Sequence, residues 1–207
     1  MNEEKNLNEE ILEEQVENPY SVNHAKEALE KEKKKKSEAF DWLQCIVTAL
    51  VVCVLIFVFA FRVVGVVGGS MEDTLIEGDK LIITKLFYDE PQYGDIVVLR
   101  KETFGSQPII KRVIATEGQV VEIDFDEGIV YVDGVALDEP YTKTPTNSRQ
   151  DFIRRVEVPE GCVFVMGDNR NRSTDSRTDT IGCVDTRYIL GKAILRLYPF
   201  SKFGAIE

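Results

Sequence analysis

A mainly β domain carried on a single N-terminal transmembrane helix is the fold class the sequence predicts. Three observations predict it. One uncharged apolar run occupies residues 42–61. Beyond it, short apolar stretches with period two recur between glycine-bearing turns. No long helical period interrupts them.

Taken in order, residues 1–38 read as a charged tail, 39–62 as an anchor and 63–207 as one domain, long enough to bury a core. The tail is mostly Glu, Asn and Lys with Tyr20 as its one aromatic, solvated and with helical character over 22–36. The 20-residue run at 42–61 crosses about 30 Å as a helix, one hydrocarbon core. A cleaved signal peptide fits poorly, because 41 residues precede the run and it is longer than a signal peptide's apolar region. Lys31, Lys33, Lys34, Lys35 and Lys36 stand just before it, and Arg62 is the one basic residue for many positions after it. The positive-inside rule then places the N-terminus in the cytoplasm and residues 63–207 outside, a single-pass protein of the cell membrane. The lysine run also suits anionic lipid headgroups.

Strands are expected at 80–86, 95–99, 109–115, 120–123, 128–132 and 162–166. Asp133-Gly134, between apolar residues 129–132 and 135–137, signals a hairpin. Residues 141–150, rich in Thr, Pro, Asn and Ser, read as an exposed loop. The chain carries 36 acidic against 25 basic residues, spread over both sides of the span, which argues against a nucleic-acid surface. Of four cysteines, Cys45 and Cys53 lie in the span. Cys162 and Cys183 bracket one loop and are either a disulfide of an oxidising exterior or two buried thiols.

Three segments could do chemistry: residues 68–75, 110–113 and 167–177. Ser70 follows Gly68-Gly69, which allows a sharp turn and close approach of a substrate backbone. A serine hydroxyl becomes a nucleophile only when a nearby base takes its proton. The single histidine, His24, lies on the far side of the span, so the base must be something else. Lys111 sits among Ile109, Ile110, Val113 and Ile114, where burial would lower its pKa and free its amine. Alternative readings stay open: Gly-Gly-Ser is a common turn, and a strand lysine can sit at a sheet edge in water. Residues 167–177 hold Asp168, Arg170, Arg172, Asp175 and Arg177, a loop that local ion pairs can stiffen or that water can simply solvate. No Cys/His spacing suggests zinc, and no metal or cofactor is expected.

Taken together, Ser70-Met71, Lys111-Arg112 and Gly-Asp-Asn-Arg-x-x-Ser-x-Asp-Ser-Arg from Gly167 resemble the bacterial type I signal peptidases. The likeness runs from the anchor to about Pro199, and residues 93–98 and 132–141 share it. It implies a β fold common to self-cleaving repressor proteases, and removal of signal peptides from secretory preproteins by an acyl-enzyme. Ser70 would be the nucleophile and Lys111 the general base. Ser173 would orient the lysine amine; Asp168 with a nearby arginine, and Asp175 with Arg177, would brace the site, with Arg112 also in a supporting role. Val64, Val66, Leu75, Ile109 and Ile110, with Gly68 and Met71 beside the serine, would line shallow pockets that accept Ala-x-Ala. Two departures stand out. Gly68 replaces a serine that in some relatives serves the oxyanion hole, and Asp73 replaces a common proline. A sortase-like cysteine enzyme needs a histidine that the domain lacks. An inactive scaffold would have no need of Ser70, Lys111 and Ser173 together.

Overall fold

The computed structural model describes residues 19–206 apart from Phe87 and Ser106, so the tail before residue 19 lies outside the described residues. The chain divides into two compact units between Ile56 and Phe57. Helix α1 (Pro19–Ala60) is long and apolar enough to cross a membrane in its second half. Trp42, Ile46, Leu50 and Ile56 are all exposed on it. Such a helix is stable where lipid is the solvent, because every backbone group is satisfied within the helix.

The expected boundary at 38–39 leaves no mark, since α1 runs through it unbroken. The anchor is also shorter than expected: Phe61 and Arg62 belong to a strand, not to the helix. Their backbones pair with Thr84 and Ile83. The helix-terminal carbonyl of Ala60 accepts from Thr84 Oγ1 at 3.0 Å.

The strands follow as β1 (Phe61–Gly65), β2 (Lys80–Thr84), β3 (Ile96–Leu99), β4 (Ile109–Thr116), β5 (Val120–Asp124), β6 (Ile129–Val132), β7 (Val135–Ala136), β8 (Arg155–Glu157), β9 (Cys162–Met166), β10 (Val184–Asp185), β11 (Ile189–Tyr198) and β12 (Gly204–Ala205). The larger sheet has the order β1-β2-β11-β3-β4-β9-β10, with β12 on β11. The smaller, β7-β6-β5-β8, is inserted in sequence between β4 and β9. Asp133 and Gly134 both take positive φ, 52° and 77°, closing the β6–β7 hairpin as their chemistry requires.

Strand β11 was not expected from periodicity. Its register slips three times, near Ile189, Ala193 and Arg196, so its side chains never keep a period of two for long. Yet it lies in the body of the sheet between β2 and β3.

Three apolar clusters hold the unit together. Ile114, Phe164 and Met166 of the large sheet meet Val121, Ile123, Val130 and Val132 of the small one. Phe152 sits between Phe125 and Phe164 in edge contacts, with centroids 6.0 and 5.7 Å away. A second cluster gathers Val66, Met71, Leu75, Leu81, Ile83 and Ile110. The third joins Val97, Val113, Val165 and Ile189. Cys162 and Cys183 are free thiols packed against the first cluster, so no disulfide closes that loop. Burial raises the pKa of both.

Candidate active site

Strand β4 is flanked by β3 and β9, and this decides the environment of Lys111. The edge-strand alternative is excluded: Lys111 is only 3% exposed. Its Nζ donates to Ser70 Oγ at 2.8 Å and to the Ile110 carbonyl at 3.1 Å. No carboxylate pairs with it among the described residues. Burial therefore dominates and lowers its pKa from 10.5 to about 8; Asp175 and Asp168 pull it up from a distance, and Arg177 pushes it down.

Ser70 lies on the loop between β1 and β2. Residues 167–177 hold that loop at several points. The Asn169 amide donates to the Ser70 carbonyl at 3.0 Å, and Asn169 Nδ2 to the Gly69 carbonyl at 2.9 Å. Thr74 Oγ1 donates to Asp168 Oδ2 at 2.5 Å. A glycine is needed at 167, because a Cβ there would collide with Ser173 Oγ and with the Ser70 carbonyl oxygen. The Ser70 amide finds no acceptor among the described residues.

The two ion pairs expected to brace the site are buried and well formed. Arg112 Nε and Nη2 donate to the two Asp168 oxygens at 2.9 and 2.8 Å. Arg112 also donates to the Gly94 carbonyl and stacks on the Tyr141 ring, 4.0 Å from its centroid. Arg177 forms the same two-pronged contact with Asp175, 2.8 Å on each side. Asp175 Oδ2 in turn accepts from the Gly167 amide at 3.0 Å.

Ser173 is buried beside Gly167, but its hydroxyl has no hydrogen-bond partner among the described residues. The contact expected between Ser173 and the Lys111 amine is therefore not made. The amine spends its contacts on Ser70 and Ile110 instead.

A cleft of about 340 Å³ opens at Ser70 and Lys111. Val66, Gly68, Met71, Ile109 and Ile110 line it, as does the β3–β4 loop through Phe104 and Gln107. Two expected lining residues are absent from it. Leu75 is fully buried, and Val64 packs against the same apolar cluster behind the cleft. Asp73 forms an exposed pair with Lys143 at 3.2 Å.

Three partners of the 167–177 loop, Glu139, Thr146 and Gln150, escaped the sequence reading. Arg170 is wholly buried and grips Glu139 at 2.7 and 2.6 Å and Thr146 at 2.9 Å. Gln150 Nε2 donates to the Ser173 carbonyl at 2.6 Å. Residues 141–150 are thus fastened to the site in part, with Thr146 buried, rather than forming a free loop. The density of arginine in residues 167–177 was the available signal: that many guanidinium groups need acceptors somewhere.

The family model described as "Signal peptidase, peptidase S26" matches residues 39–198. The chain is 39% identical over 170 residues to a probable signal peptidase I-1 of Synechocystis sp., covering 78% of this chain and 83% of that protein. It is 34% identical over 183 residues to a signal peptidase I of Bacillus licheniformis, covering 84% of this chain and 96% of the other. Signal peptidase I T of Bacillus subtilis is 34% identical over 184 residues, covering 84% of this chain and 93% of its own.

Proposed function

Because the chain belongs to the signal peptidase S26 family of serine endopeptidases, we propose that it removes signal peptides by a Ser70–Lys111 dyad acting at the outer face of the cell membrane. The observation that carries this reading is the 2.8 Å contact between Ser70 Oγ and the Nζ of a buried lysine.

The chemistry follows from that contact. A neutral Lys111 amine accepts the Ser70 proton as Oγ attacks the scissile carbonyl. Negative charge then develops on the carbonyl oxygen, where the unengaged Ser70 amide is a donor. The Lys111 ammonium returns its proton to the departing amine, which leaves an acyl-enzyme on Ser70. Water enters and attacks the ester as Lys111 takes its proton; Lys111 then returns that proton to Ser70 Oγ as the C–O bond breaks and the acid leaves. Asp168 with Arg112 and Asp175 with Arg177 hold the geometry. Ser173 stands close enough to Gly167 and Ser70 to support it.

Val66, Met71, Ile109 and Ile110 leave shallow space in the cleft, which suits Ala, Gly or Ser before the cut in an extended substrate. The substrates are secretory preproteins, presented at the bilayer that holds α1. The lysines before the span support an N-terminus in the cytoplasm.

The test uses the full chain in a bilayer with an Ala-x-Ala preprotein. Ser70→Ala and Lys111→Ala should each abolish processing while the unfolding transition survives. Processing that persists in either variant would sink the dyad.

A further inference from the structure

A second cleft, of about 380 Å³, lies away from Ser70 where α1 passes into β1. Phe59, Ile83, Ile189 and Leu190 give it an apolar floor, and Ile83 and Ile189 are buried. Three cations stand around it: Arg62, Lys85 and Arg187. Arg187 is already answered by Asp185, whose Oδ2 accepts from Nη2 at 2.6 Å. Arg62 and Lys85 are exposed and have no carboxylate partner among the described residues. No carboxylate belongs to the cleft's described lining; Asp89 lines an adjoining cleft that shares Lys85 and Arg187.

Two unanswered cations above an apolar floor match the two halves of one molecule: an anionic phosphodiester and the glycerol-acyl body attached to it. The position matches as well. Phe59 and Ala60 end helix α1 at the close of the apolar run, so the cleft opens where the span meets water. The bond from Thr84 Oγ1 to the Ala60 carbonyl fixes its wall. The volume is within the range of about 300–1,000 Å³ usual for small-molecule sites.

We propose that this cleft binds the headgroup of an anionic glycerophospholipid, with Arg62 and Lys85 on the phosphate and Ile83 and Ile189 beneath the glycerol and first acyl carbons. The inference rests on residues 42–60 being a membrane anchor and is independent of the Ser70 chemistry.

The experiment embeds the full chain in bilayers of phosphatidylcholine and phosphatidylglycerol, extracts it in mild detergent and weighs the retained lipids by mass spectrometry. Phosphatidylglycerol should be enriched over phosphatidylcholine. Arg62→Gln and Lys85→Gln should each cut the enrichment about fivefold, and the double variant should lose more. Arg62→Lys should retain it, as should Arg154→Gln in a different cleft. Ser70→Ala should retain it too, which separates failure of the lipid site from failure of the protease reading. Washing with inorganic phosphate should leave the lipid bound. Equal retention of both lipids, enrichment that survives the double variant, or release by phosphate alone each overturns the site.

Discussion

Lys111 and Arg112 are neighbours on β4, buried to the same depth at 3% and 2% exposure, yet they sit in opposite electrostatic worlds. Arg112 meets both oxygens of Asp168, a backbone carbonyl and an aromatic face. Lys111 meets a hydroxyl and a carbonyl, and its carboxylates act only from a distance. A buried charge that is matched stays charged and braces its surroundings. One that is left unmatched sheds its proton near neutrality and becomes a base. On the proposed mechanism, the difference between scaffold and reagent is one well-placed carboxylate.

Swapping the two chemistries should have the largest effect. Lys111→Arg puts a permanent charge where a neutral amine is needed, and processing should fall by about 10²–10⁴-fold. Appreciable turnover in that variant would remove the lysine from the role of base. Next comes the matched side. Asp168→Asn leaves the Arg112 guanidinium buried without its counter-charge, and denaturant titration should show a loss of about 3–5 kcal/mol. Combining it with Arg112→Met should cost less than the sum of the two single losses, as expected of contacting partners.

The unmatched side should respond in the opposite sense. With a folded pKa of about 8 against 10.5 unfolded, the unfolded chain holds more protons between those values. Stability should therefore rise with pH through that window, and below about pH 8 the full penalty applies. Lys111→Met removes the penalty, so at neutral pH it should stabilise the domain by about 3 kcal/mol and flatten the pH dependence. A parent protein whose stability is level across the window would contradict the assigned environment. The same titration should govern rate: kcat/KM should fall about tenfold per pH unit on the acid side of the lysine pKa. The smallest effect lies in the cleft. Val66→Ala or Ile110→Ala should relax discrimination against larger residues before the cut by about 1–3 kcal/mol. A peptide panel varied at that residue reads this directly, and unchanged selectivity would move the pocket elsewhere.

Much of this arrangement was legible in the chain, for unequal reasons. Apolar period and turn residues place β2, β3, β4, β6 and β9 because each keeps its alternation or sits between strong turn signals. They cannot say which strands pair. That Ser70, Lys111 and residues 167–177 would meet came from the resemblance, not from periodicity. Strand β11 stayed hidden because its bulges erase the alternation. Leu75 came to the pocket list from the resemblance, and its nearness to Ser70 in sequence says nothing of direction; the turn that bonds the Leu75 amide to the Met71 carbonyl sends its side chain into the core. Glu139, Thr146 and Gln150 went unnoticed because a polar loop reads as solvated until its arginine partners are known.

The insertion of the small sheet between β4 and β9 carries a kinetic consequence. Arg112 pairs with Met166, and Thr84 with Lys192, so the body of the large sheet closes only through contacts distant in sequence. Such topologies fold slowly, and β4 must wait for β9. During that wait β4 would present an open edge, with Lys111 and Arg112 in water. Charged edge residues discourage pairing with another chain. On the proposed mechanism the lysine that acts as base in the finished domain would first guard that edge against misassembly, and the solvent withdrawn as β9 docks would end the first duty and begin the second.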